Sequence, residues 1–345
     1  MWYHKDIRRE PFLLMNEADI LIYHSGVVIP MGVKDTMTAK YMQRNEIFAD
    51  AFNYYVYGGR QVIDPNSLEE LDTREIGVPY GSAEDVEQPV QRIRDVIKSV
   101  TAMTNKKAAF LVLAVENQSN VHYAMAVKDM VYDALQYAKQ VEKAIASHKK
   151  AGDYKGADSD EYLSGFMKGD KLMPVATLVI YFGPKAWEGP MSIHEMFEYD
   201  DEEMLAIVPD YKINLIVPEA LSDDDFDKFN TSLKEVLTFI KYSGDADKLE
   251  DAVNSDEGFQ HLGRMEVDVL NACVNASLTM GESEVELNVC QAIQTLNQRA
   301  EEKGRIENLI QNIKSLMESM GWTAEETMNN LRVSESDRKV IAPRF

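Results

Sequence analysis

Seven consecutive apolar residues, Ala109 to Val115, stop abruptly at Glu116. The run is too short for a membrane span and rich in strand formers, so the pattern predicts a strand buried on both faces. Arg94 to Met103 predicts the strand before it, with Thr104-Asn-Lys-Lys107 as the connecting turn. After Asn120 the period changes. Met125, Lys128 and Tyr132 are spaced three and four apart, the mark of one helical face, and the helix is expected to run to about Lys150. Leu172 to Phe182 and Ile213 to Val217 predict further buried strands, the first joined to the Glu116 strand by a right-handed crossover and therefore parallel to it. Upstream, Met42 to Tyr57 reads as a helix closed by Gly58-Gly59, and Leu71 to Pro79 as the first strand of the sheet. Beyond residue 220 the pattern is helical. Ser222 caps a helix striped by Phe226, Phe229, Leu233, Val236, Leu237 and Ile240, and helices follow over 265–278 and 284–320, the last with a weak spot at Glu301 to Gly304.

The break at Glu116 carries the candidate chemistry. Side chains two apart on a strand share a face, so Glu116 and Gln118 aim at one side of the sheet. The predicted hairpin brings Asp95 beside Glu116. Two carboxylates in one place suit Mg2+ (or Mn2+), which takes one or two acids together with waters and phosphate oxygens. Asp72, in the expected first strand, is a rival to Asp95. Glu46 and Asp50 on the first helix are further acids open to an auxiliary role. Lys128 supplies a cation on the helix face that also carries Met125 and Tyr132.

A hairpin bearing Asp95, then Glu116-Asn-Gln118-Ser, then a helix with Met125, Lys128 and Tyr132 resembles the Rpn family of recombination-promoting nucleases and putative transposases, a branch of the PD-(D/E)XK nuclease superfamily. The likeness spans roughly residues 42 to 245, including Phe48-Ala-Asp50, Tyr162-Leu-Ser-Gly-Phe, Pro174 to Gly183, Trp187 and Pro209-Asp-Tyr. It implies an α/β, restriction-endonuclease-like mixed sheet flanked by helices, with Asp95 and Glu116 as metal ligands and Gln118 at the superfamily's lysine position. Gln118 is neutral, so Lys128 is the expected source of charge for a phosphodiester transition state. Tyr132 belongs to the same helix motif. The implied activity is metal-dependent DNA cleavage in a setting of recombination or mobile elements.

Charge changes the picture. The 345-residue chain has a formal net charge of −22. DNA affinity comes largely from neutralising phosphates, which leaves any DNA partner a local cationic site rather than a general basic surface. Two cysteines, Cys273 and Cys290, without metal-ligand spacing predict a reducing, cytoplasmic setting, and no apolar run predicts a membrane span. The expected organisation is an N-terminal extension over 1–40, disordered or extraneous, then a nuclease-like core over 41–220. An all-helical C-terminal region over 221–345 follows, with a helix-turn-helix-like tail capped at Thr323 and Ser334. A homodimer through the C-terminal helices is one fate for their apolar stripe, and packing within the chain is the other. The alternative to an enzyme is a weak or inactive nuclease-like protein that serves as a binding or assembly module.

Overall fold

The computed structural model describes residues 33–345 apart from 72–73, 78–89, 94–95, 105–106, 155 and 200. Asp95, Asp72 and the extension before residue 33 therefore lie outside the described residues. The described residues up to Gly244, together with Asp268–Ala276, form one compact unit, and Asp245–Val267 with Ser277–Phe345 form a second.

The first unit opens with α1 (Val33–Met42) and α2 (Asn45–Tyr57). Residues 33–40, grouped by the sequence with the N-terminal extension, instead make most of α1, because Thr38, Ala39, Tyr41 and Met42 are buried. Gly58 stops α2 at φ +63, a left-handed conformation that costs glycine little. Asn53 then ties down the returning chain. Its Oδ1 accepts from the backbone N–H of Val62 (3.0 Å) and Ile63 (2.8 Å), and its Nδ2 donates to the Ile63 carbonyl.

Next come β1 (Leu68–Glu70), β2 (Arg74–Gly77), β3 (Val90–Ile93), β4 (Val96–Thr104) and β5 (Lys107–Gln118). They lead into α3 (Met125–Ala151), α4 (Ser159–Ser164) and β6 (Val175–Tyr181). After these lie α5 (Glu202–Leu205), β7 (Asn214–Ile216), α6 (Asp223–Phe226) and α7 (Leu233–Tyr242). A five-stranded mixed sheet takes the order β1-β4-β5-β6-β7, antiparallel on the β1 and β4 side of β5 and parallel from β5 through β7. The stretch expected as its first strand pairs elsewhere. Arg74–Gly77 joins β3 in a two-stranded sheet, while Leu68–Glu70 forms the edge beside β4.

Strand alternation divides the polar groups of the sheet between its faces. Lys98 of β4 points towards α2, where its Nζ donates to the Gln43 carbonyl at 2.6 Å and to Asn45 Oδ1 at 2.5 Å and lies 5.3 Å from the Phe48 ring centre. The other face is covered by α3. There Thr177 of β6 donates to Asp133 Oδ1 at 2.5 Å, and Tyr211 donates to Asp133 Oδ2 at 2.6 Å. Below the α2 side, Leu233, Val236, Leu237, Phe239 and Ile240 of α7 are all buried, each contributing about 1.5–3 kcal/mol of transfer free energy. The stripe expected on one helix is divided between α6 and α7. Between them Asp50 of α2 accepts from the backbone N–H of Asn230 (2.9 Å) and Thr231 (3.0 Å), groups a continuous helix would have bonded internally.

In the second unit α8 (Ala246–Ser255), β8 (Leu262–Gly263) and the start of α9 (Arg264–Val274) precede β9 (Glu286–Leu287). Helix α10 (Val289–Met320) runs without a break through Gly304, the expected weak spot. Helices α11 (Ala324–Asn330) and α12 (Glu335–Ile341) start at the predicted caps Thr323 and Ser334. Their buried Met328 and Ile341 meet Ile313 of α10, with Ile306, Leu309, Ile310 and Met317 packed around them. Part of the apolar stripe of α10 is thus satisfied within the chain. No helix among the described residues is long and apolar enough to cross a membrane.

Candidate active site

β5 keeps its strand geometry through Gln118 because β6 pairs with it to the end: Val115 lies opposite Val96 of β4, and Glu116, Asn117 and Gln118 lie opposite Val179, Ile180 and Tyr181 of β6. The pairing carries an acid into the interior. Glu116 is fully buried, on the face covered by α3, and Lys128 Nζ stands 2.8 Å from its Oε2. Neither carboxylate oxygen accepts a hydrogen bond of good geometry among the described residues. Burying a lone carboxylate costs several kcal/mol, so its position depends on a cation against it.

Lys128 is held from two sides. Its Nζ lies 5.7 Å from the ring centre of Tyr132, one turn further along α3, and its side chain keeps 28% exposure while that of Glu116 keeps 1%. Buried positions on α3 fall at Met125, Ala126, Asp129, Tyr132, Asp133 and Gln136, the stripe expected of a helix laid on a sheet. Tyr132 is thus packed in the core and borders the lysine. Gln118 shares the face of Glu116 by alternation, and its own carbonyl accepts from the Phe182 N–H at 2.7 Å, which fixes the strand end.

The acids of α2 go elsewhere. Glu46 pairs with Arg44 at 2.8 Å on the opposite side of the sheet, half exposed. Its pKa is lowered: burial works to raise it, and the backbone hydrogen bond, Arg44 and Lys98 outweigh that. Asp50 brackets the 230–231 turn, where Thr231 Oγ1 also donates to it at 2.7 Å. Burial raises the Asp50 pKa despite those donors. The structure therefore brings together Glu116, Lys128 and Tyr132, with Gln118 on the same face, and sets Glu46 and Asp50 apart from them. Asp95 and Asp72 lie outside the described residues, and among those described no group of three or more His, Cys, Asp or Glu is disposed to hold a metal ion.

Two residues beside the pair were not singled out by pattern. His122, in the loop between β5 and α3, has its pKa lowered by burial first and by the Lys128 charge second, with Glu116 acting the other way. Its Nδ1 and the Trp187 Nε1 are buried and have no hydrogen-bond partner among the described residues. Asp129, adjacent to Lys128, is buried in the stripe. The signal was present in the helix period, since Asp129 falls one turn after Met125, but an apolar period is normally read through apolar residues. His122 lies in a loop, where no period applies.

Gly189 closes the neighbourhood, since a Cβ there would stand 3.0 Å from both Trp187 Nε1 and Val121 Cγ1. The loop after β6 therefore packs directly on the loop that carries His122. No curated protein and no solved structure matches the chain. Residues 86–266, more than half of the chain, match the family model described as "Putative transposase, YhgA-like", and that span takes in β3 to β7 together with Glu116, Gln118 and Lys128. The chain belongs to the YhgA-like putative transposase family.

Proposed function

We propose that this chain is a metal-dependent DNA endonuclease that hydrolyses phosphodiester bonds through a PD-(D/E)XK-type, restriction-endonuclease-like core akin to that of the Rpn nucleases. The observation that carries the reading is the fully buried Glu116 at the end of β5, with Lys128 at 2.8 Å and both oxygens without a well-formed hydrogen bond among the described residues. A carboxylate in that condition fits Mg2+ or Mn2+, hard cations that take oxygen ligands. Asp95, which immediately precedes β4 in sequence, is the proposed second ligand. When bound, such an ion supplies Lewis acidity and a nucleophilic water.

The chain's own residues do the rest. Gln118 holds the attacking water by its amide carbonyl or steadies a phosphate oxygen by its amide N–H. Lys128 meets the charge that grows on the phosphate, where a preorganised cation is worth about 3 kcal/mol. Tyr132 keeps the lysine at the site's edge. Supercoiled plasmid incubated with the full chain in Mg2+, Mn2+ or EDTA tests the reading. Nicking in metal alone, lost in Glu116→Gln and in Asp95→Asn, is expected, and metal-independent or absent nicking overturns it.

One observation favours a second reading, that of an inactive assembly module. Lys128 already neutralises Glu116, and the net charge of −22 opposes DNA approach. That reading predicts no nicking under any metal.

A further inference from the structure

The pairing of Glu116 with Lys128 points beyond a static site. Lys128 is the cation seen against a carboxylate that is otherwise fully enclosed, at a contact distance of 2.8 Å. Its own side chain is the more exposed of the two, and its Nζ lies 5.7 Å from the centre of the Tyr132 ring. The lysine therefore has somewhere to go, and the acid does not. We propose that Lys128 is an internal place-holder for the divalent cation: it neutralises Glu116 in the metal-free protein, is displaced when metal binds, and is thereby delivered towards the phosphate of the substrate. This rests on the metal-dependent reading above.

The physical argument is one of competition. A buried carboxylate stripped of its partner is strongly unfavourable, so the metal-free fold needs Lys128, and any metal must displace an ammonium already in contact. Two cations cannot both lie against the same oxygen without repulsion. Coupling follows in both directions: the lysine weakens metal binding, and metal frees the lysine. Glu116 keeps a cation against it in both states, and the lysine charge aimed at DNA is released only in the loaded state.

Mn2+ titration of the full chain, read by the electron paramagnetic resonance of free Mn2+, tests the competition without reference to cleavage. Lys128→Met should bind Mn2+ about tenfold more tightly than wild type, since it lacks the competitor, while Glu116→Gln should bind markedly less. Equal or weaker binding by a folded Lys128→Met overturns the proposal. Wild-type protein gives a second readout that needs no variant. The rate of Lys128 acetylation by a water-soluble ester, followed by mass spectrometry, should rise several-fold on adding Mn2+ while that of exposed Lys149 stays constant, and an unchanged rate overturns it. Metal binding with displacement but no nicking would remove the nuclease reading alone. Nicking with an unresponsive Lys128 would remove the place-holder alone, and no metal binding would remove both.

Discussion

At the scale of single residues, the proposed nuclease reading divides between Gln118 and Lys128 two roles that it would otherwise give to one lysine. Gln118 stands beside Glu116 on the strand without charge, and Lys128 brings charge from the helix. If nuclease chemistry runs here, Lys128→Met should lower the nicking rate by about 100-fold or more, because the contact strengthens as phosphate charge develops. Gln118→Lys should recover part of that loss, and single-turnover rates on plasmid would check both. Wild-type rates in Lys128→Met would assign the work to Gln118 and the metal. Asp50 carries a different burden. Asp50→Ala leaves the Asn230 and Thr231 donors without their acceptor and should cost about 2–4 kcal/mol, read as a lower urea midpoint with unchanged slope. A midpoint equal to wild type would show that the 230–231 turn stands without it.

At the scale of elements, His148 latches the C-terminal end of α3 to two acids, and its protonation is expected to set the strength of that latch. His148 Nδ1 faces Asp153 at 3.0 Å and Nε2 faces Asp170 at 3.0 Å, and these hydrogen bonds, Asp153's first, raise the His148 pKa. A raised folded pKa means stability that is present below the unfolded value and lost as pH rises through the folded one. Amide exchange at 149–152 should therefore quicken as pH rises through that range, beyond the intrinsic base catalysis, and the extra rise should vanish in His148→Ala. A profile identical in both proteins would remove the latch. The helix period gives no sign of this contact, because Asp153 and Asp170 follow α3 in segments that no period describes.

That contrast recurs along the chain. Strands β5, β6 and β7 and helix α3 were legible because their apolar periods are long and local. The fates of Glu46 and Asp50 were not, because the partners of Asp50 lie 180 residues away. The same contact splits the expected 222–240 helix. Edge strand β1 was missed since three residues carry too little period to outvote the more β-prone stretch that follows. At the site, spacing alone brought Lys128 to the correct face. It had no means of telling that the lysine would touch Glu116 itself.

At the scale of the molecule, acidity dominates. A chain with a net charge of −22 repels itself, and salt screens that repulsion within about 10 Å at 0.1 M. The melting temperature should climb as NaCl rises from about 10 to about 200 mM, and a flat or falling trend in calorimetry would show that attractive pairs offset the excess. On the proposed nuclease reading the same field would confine DNA contact to a few cations, so the salt slope of binding should be shallow, with about one unit for each phosphate neutralised.

The mixed pairing of β5 also favours one order of assembly. Its antiparallel partner β4 is its neighbour in sequence and closes at little entropic cost, whereas β6 arrives only after the whole of α3 and α4. In that order Glu116 would stay hydrated in the early hairpin and lose its water when α3 and β6 dock. The helix that seals it carries Lys128, so the acid and its counter-ion leave water in one event. A chain with methionine at 128 would meet the full desolvation penalty at that step, and the barrier to reaching the native state, as well as the depth of that state, would record the loss.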